Sequence, residues 1–181
     1  MNSRKRYILT HPLTGNYGGL LQAYALSSTI NALGYQAYIY RYQPADMPLG
    51  IKDYWRHFKR HIKYCLGKCN EAHTVWRRLM IARKFLKGIR FFDERRIDKL
   101  ESDAAFVVGS DQVWRAIFCR MMKHPAYYFL DFASEEQRRR SFAYAASFGI
   151  DEWEGTPEET AECARLLQDF KAVSVREQSG I

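Results

Sequence analysis

No stretch of the sequence approaches the roughly 18 consecutive apolar residues that a membrane-spanning helix needs. No secretory leader is expected either. Residues 1–6 carry the right charge, but the apolar stretch that follows is only Tyr7, Ile8 and Leu9 before Thr10, His11 and Pro12. Cysteine is scarce, four in 181 residues with no C-x-x-C pair, which argues against a disulfide scaffold and for a reduced, cytoplasmic protein. Eleven glycines and five prolines are too few for a collagen-like or linker-dominated chain. What remains is a globular composition, 47% hydrophobic and 27% charged, in a chain long enough to bury a core as one large domain.

The net charge of +8 is concentrated. Residues 52–96 hold 14 Lys/Arg against 4 Asp/Glu, whereas the rest of the chain holds 14 against 16. The cations are interleaved with Tyr54, Trp55, Phe58, Trp76, Phe85, Phe91 and Phe92, and the apolar residues recur at helical spacing. Amphipathic helices with solvated basic faces account for this pattern. A basic face with exposed aromatics would also suit an anionic membrane surface or a lipid-linked phosphate. Nucleic acid is the weakest of the three partners, because no recognition signature accompanies the charge. His57, His61, Cys65, Cys69 and His73 fall at four-residue intervals here. A four-residue repeat drifts around a helix and fits no common zinc spacing, so no metal site is expected.

Outside that segment, short apolar runs alternate with amphipathic stretches. Strands are expected at 6–9, 37–40, 104–108, 127–130, 140–143 and 172–175. Helices are expected at 20–33, with Leu21, Ala25, Ser28 and Ala32 marking one side, and at 157–170, with Pro157 near its start. This alternation predicts an α/β fold, a Rossmann-like parallel sheet with helices on both faces. The basic helices would form an insertion between the second strand and the strand carrying Val107.

Ligands of such sheets bind at the carboxyl ends of the strands, where the unusual loops fall. Gly15, Asn16, Tyr17, Gly18 and Gly19 lead from the first strand into a helix, with Gln22 expected on its first turn. Glycines there allow close approach of backbone to a ligand, although a tight turn without a ligand has the same composition. The loop is neither a dinucleotide fingerprint nor a P-loop. Gly109 is followed by Ser110, Asp111 and Gln112, which suit sugar hydroxyls, and by Trp114, whose ring suits the apolar face of a sugar. Asp111 is equally suited to capping the segment after it. Ser147 follows a third strand, and Arg176 and Glu177 follow the last, where a mutual ion pair is the alternative to a ligand contact. A hydrolase triad through Ser147 is disfavoured, since no G-x-S-x-G elbow is present.

Together these motifs resemble the polysaccharide pyruvyl transferase family. The resemblance rests on residues 16–26 with 33–35, then 108–114, 128–132, 141–149 and 173–177, in that order. It implies one half of a two-domain, GT-B-type transferase. The reaction it implies is transfer of the enolpyruvyl group of phosphoenolpyruvate, the donor substrate, to a sugar, with no further cofactor. The acceptor would be a surface polysaccharide or a lipid-linked glycan, and residues 1–181 would be the N-terminal, acceptor-side domain. The basic donor-site residues belong to a second domain that the resemblance places beyond Ile181, so self-association through the face left open is expected. Asn16, Gly18, Gly19, Gln22, Ser110, Gln112, Trp114, Ser147, Arg176 and Glu177 would line the acceptor cleft, with Asp111 as a base. A non-catalytic sugar-binding or assembly module is the alternative.

Overall fold

Two short runs, Lys5–Leu9 and Ala105–Gly109, bury successive residues rather than alternate ones, because the sheet they build is covered on both faces. The computed structural model describes residues 4–13, 17–41, 55, 58–59, 61–63, 65–66, 84–121 and 126–180. In chain order the elements are β1 (Lys5–Leu9), α1 (Tyr17–Ala32), β2 (Gln36–Arg41), β3 (Arg90–Asp93), β4 (Ala105–Gly109), α2 (Ala116–Arg120), α3 (Glu135–Arg138), β5 (Phe142–Ala146), α4 (Pro157–Leu167) and β6 (Ala172–Val175). Short 3₁₀ segments lie at Glu94–Lys99, Tyr127–Phe129 and Gln178–Gly180.

The six strands form one sheet in the order β3-β2-β1-β4-β5-β6, with every pairing parallel. This is the Rossmann-like α/β arrangement expected from the alternation of elements. Ile8, Ala37, Ile39 and Val107 cluster with Leu20, Ala23 and Ile30 of α1 in one layer. Tyr7, Leu9, Tyr40, Phe106 and Val108 cluster with Tyr127–Leu130 and with Cys163 and Leu166 of α4 in the other. Adjacent residues of one strand thus feed opposite layers, as a period of two requires. Helix α4 has a well-specified start: Thr156 accepts from the Glu159 N–H, the Glu159 side chain accepts from the Thr156 N–H, and Pro157 takes the first position.

The order reverses between β1 and β4, so the loops after these two strands flank the crevice at the carboxyl edge. Gly109 ends β4 with φ +118°, where a Cβ would overlap the carbonyl oxygen of Tyr144 on β5. Only glycine lets the two strands approach at that point. Strand β5 carries an irregularity between Ala143 and Ala146, with Ala145 at φ 46° and its N–H donating to Ser174 Oγ at 2.9 Å. A bulge of this kind re-aims the residues that follow it, here Ser147.

The structure corrects several expectations. Tyr127–Phe129 is a 3₁₀ turn rather than a strand, because its run of apolar residues fills the core beneath the sheet instead of joining it. Residues 90–93 lie within the expected helical insertion yet form β3, paired with β2. The insertion therefore sits between β2 and β3, not between β2 and the strand carrying Val107. Described residues of the basic segment at 55, 58–59, 61–63, 65 and 84–86 are helical, and the rest of 52–89, including His57, Cys69 and His73, lies outside the described residues apart from 66 and 87–89. The buried face of α1 is Leu20, Ala23, Ser27 and Ile30, while Leu21 is exposed. The helix is apolar on both sides, so spacing alone chose the wrong one.

Candidate functional site

Three loops that leave neighbouring strand ends are sewn together by backbone hydrogen bonds. The Ser147 N–H donates to the Asp111 carbonyl at 3.0 Å, and the Trp114 N–H donates to the Ser147 carbonyl at 3.1 Å. The Arg176 N–H donates to the Ala146 carbonyl at 3.0 Å. Parallel pairing of β4, β5 and β6 places these chain segments side by side, and the bonds lock the loops after them into one surface.

Asp111 stands at the reversal of strand order. Its Oδ1 accepts from the Gln112 N–H at 2.9 Å, so half of the carboxylate does what the capping alternative foresaw. Its Oδ2 lies against the first turn of α1, where a Cβ added to Gly19 would come within 3.3 Å of it. The missing side chain of Gly19 leaves the carboxylate uncrowded beside the positive end of the helix. Helix α1 begins at Tyr17, three residues earlier than expected, so Gly18 and Gly19 are helical and Gln22 falls on the second turn, half-buried. Asn16 lies outside the described residues. The Gln112 side chain packs over Gly149, joining the loop after β4 to the loop after β5.

Ser147, fully buried, is the hub of a second group. Its Oγ donates to Glu177 Oε1 and accepts from the Gly149 N–H at 3.0 Å and from the Arg176 guanidinium at 3.0 Å. Arg176 also meets Glu177 Oε1 at 3.3 Å, so the mutual ion pair considered from the sequence is present. Glu177 Oε2 is buried and has no hydrogen-bond partner among the described residues. The cluster is thus closed on the Oε1 side and has one open acceptor. Ser110, directly after Gly109, is buried.

Trp114 is not a sugar platform. It is completely buried, stacked on Phe129 with ring centroids 5.2 Å apart, and its indole N–H donates to the Tyr128 carbonyl at 3.2 Å. An aromatic residue two places after a polar pair looks the same in sequence whether it faces water or core. Here the loop turns it inward.

Spacing did not single out His11 as a functional residue. It follows β1 at the same crevice, packs edge-on against Phe118 and Tyr128, and shares a hydrogen bond with the Tyr128 hydroxyl at 3.3 Å. Its Nε2 is buried and has no hydrogen-bond partner among the described residues. The only sequence signal was its position just past the first strand. Among the described residues no three His, Cys, Asp or Glu side chains gather closely enough to hold a metal, and no helix is long and apolar enough to cross a membrane.

A parallel sheet in this order, with polar loops sewn together at its carboxyl edge, defines a Rossmann-like α/β protein with a candidate ligand crevice at the reversal of strand order. The family model described as polysaccharide pyruvyl transferase matches residues 16–181. The chain belongs to that family of transferases, as its motifs indicated. No curated protein and no solved structure matches it.

Proposed function

We propose that the chain is the acceptor-side half of a pyruvyl transferase. It would hold a sugar of a surface polysaccharide or lipid-linked glycan while the enolpyruvyl group of phosphoenolpyruvate is added as a ketal. The single observation that carries this reading is the family match over residues 16–181. The chemistry has stated needs. A proton added to the methylene carbon of phosphoenolpyruvate makes C2 electrophilic, and one sugar hydroxyl adds there. Phosphate then leaves, and a second hydroxyl closes the ketal. Of the two hydroxyl protons, one balances the proton now on the methyl group and the other departs with phosphate.

In this reading Asp111 receives a hydroxyl proton at Oδ2, the oxygen that faces α1 rather than the Gln112 N–H. Gly18, Gly19, Gln22, Ser110 and Gln112 shape the acceptor crevice with Asn16. Ser147, Arg176 and Glu177 fix the floor, with Glu177 Oε2 as an acceptor for a sugar hydroxyl. Cations for the donor carboxylate and phosphate come from a second, GT-B-like domain of the kind the family resemblance implies. The basic stretch 52–96 meets the anionic inner face of the cytoplasmic membrane or a lipid-linked phosphate. Salt-sensitive flotation with anionic vesicles tests that contact, and flotation that ignores salt refutes it.

Because the donor cations lie in the second domain in this reading, residues 1–181 alone are expected to be inactive. The decisive assay is glycan-dependent phosphate release from phosphoenolpyruvate by the whole transferase, over a panel of acceptors. Release that requires both substrates and falls at least about 100-fold in Asp111→Asn supports the assignment. No release with any acceptor counts against catalysis, and glycan binding without release favours the non-catalytic module.

A further inference from the structure

A second cavity opens at the carboxyl edge of the sheet, beyond the crevice that holds Asp111. It measures about 330 Å³ and lies among the loop after β5, helix α4 and the 3₁₀ turn after β6. That volume lies at the lower end of small-ligand pockets, roughly 300–1,000 Å³. Three aromatic residues, Phe129, Phe148 and Trp153, line it. Phe148 and Trp153 meet edge to face at 5.7 Å, and Phe129 and Trp153 at 6.4 Å. The indole is fixed in orientation: its N–H donates to Thr160 Oγ1 at 2.7 Å, and Gly155 lies directly against the ring.

Polar groups stand among these rings. Asp151 Oδ1 accepts from Ser179 Oγ at 3.2 Å, and Asp151 Oδ2 has no partner among the described residues. Aromatic rings beside a carboxylate and a hydroxyl are the chemistry that reads a pyranose, with C–H bonds on the ring faces and hydroxyls on the polar atoms. Phe148 follows Ser147 directly, so the cavity continues from the cluster already described.

We propose that this cavity is a subsite for a second pyranose ring of the acceptor glycan, neutral or amino-bearing rather than a uronic acid. The preference follows from charge. Asp151 puts a carboxylate on the cavity wall, whereas Glu159 and Glu162 on α4 are paired with Arg120 and Arg165. A ligand carboxylate placed beside Asp151 meets like charge. The subsite rests on the acceptor-side reading of the chain, because it is that reading which supplies a glycan longer than one sugar.

Saturation-transfer NMR on the complete chain tests it, with methyl glucoside, methyl galactoside, glucosamine and methyl glucuronide as probes. The expected result is transfer from aromatic protons to ring C–H protons of the neutral and amino sugars, with weaker transfer to the glucuronide. Affinity should fall about tenfold in Asp151→Asn, which changes an exposed residue and can keep the Ser179 contact. Trp153→Ala should abolish transfer, and Trp153→Phe should restore part of it. Transfer to none of the probes, equal transfer to the glucuronide, or transfer unchanged in both Asp151→Asn and Trp153→Ala overturns the subsite. The phosphate assay separates the two ideas. Glycan-dependent release with an acceptor KM unmoved by Asp151→Asn removes the subsite and leaves the transferase. Sugar binding at Trp153 without phosphate release removes the transferase and leaves the subsite.

Discussion

Replacing Trp114 by alanine distinguishes a core residue from a ligand platform, because the two roles put the loss in different measurements. The side chain is wholly buried, stacked on Phe129, and its N–H satisfies the Tyr128 carbonyl. Truncating a buried aromatic to alanine costs about 3–5 kcal/mol. The orphaned carbonyl adds about 1 kcal/mol or more. A total near 5 kcal/mol is a large part of the roughly 5–15 kcal/mol that holds a domain folded. With a urea dependence of about 2 kcal/mol per M, the unfolding midpoint should drop by about 2.5 M. Trp114→Phe keeps the stack and loses the hydrogen bond, so it should cost only about 1–2 kcal/mol. Urea unfolding followed by far-UV circular dichroism reads both variants without relying on the indole that has been removed. A Trp114→Ala protein that keeps its midpoint within about 0.3 M but no longer binds glycan would refute the core assignment.

Gly109→Ala should be among the most damaging single-carbon changes, at about 3 kcal/mol or more, since both the positive φ and the Tyr144 carbonyl oppose a Cβ. A thermal scan that finds it wild-type-like would show that β4 and β5 can separate there. Burial pushes the Cys119 and Cys163 thiols up to about 12, whereas Cys65 is exposed. Native alkylation at pH 8 with peptide mapping should therefore label Cys65 well before Cys119 or Cys163. The Arg120 guanidinium and the Thr156 N–H hold Glu159 at about 2, below its ordinary 4.5. That contribution to stability is complete above pH 4.5 and is lost as pH falls toward 2, and Arg120→Ala should flatten this part of a stability–pH curve. Gly19→Ala places a methyl group 3.3 Å from Asp111 Oδ2, so it should change stability by no more than about 1 kcal/mol while lowering glycan-dependent phosphate release. Full activity in that variant would mean that the carboxylate does not need to sit against α1.

The legible parts of the fold were those where one local signal acted alone. Ala104–Val108 read as a buried strand because nothing polar interrupts it, and α4 read as a helix because Thr156, Pro157 and Glu159 specify its start. The strand β3 was hidden because its four residues sit among cations that otherwise follow a helical period. The 3₁₀ turn at Tyr127–Phe129 was hidden for the opposite reason: an apolar run of three or four residues packs into a core in any backbone conformation. Site positions were legible only as strand ends. That Ser147 would meet Arg176 and Glu177 follows from β5 pairing with β6, which no residue near either loop announces.

Motif residues gathered at one edge are not all available to a ligand, and their bonds sort them. Ser147 gives its N–H, its carbonyl and its hydroxyl to the neighbouring loops and to Glu177, so its contribution is to hold the surface together. Trp114 is spent on the core, and Gly109 on letting two strands touch. Gln112 packs on Gly149. After these, the side-chain atoms at the edge with capacity left, among the described residues, include Asp111 Oδ2 against α1, Glu177 Oε2 in its buried recess and His11 Nε2. A half-site of this kind can orient hydroxyl groups, but the guanidinium of its motif residue Arg176 is already engaged by Ser147 and Glu177. Phosphoenolpyruvate brings a carboxylate and a phosphate, and holding both calls for cations free of such partners. With Arg176 committed in this way, the proposed division of labour leaves the acceptor hydroxyls to this sheet and the donor anions to cations other than Arg176.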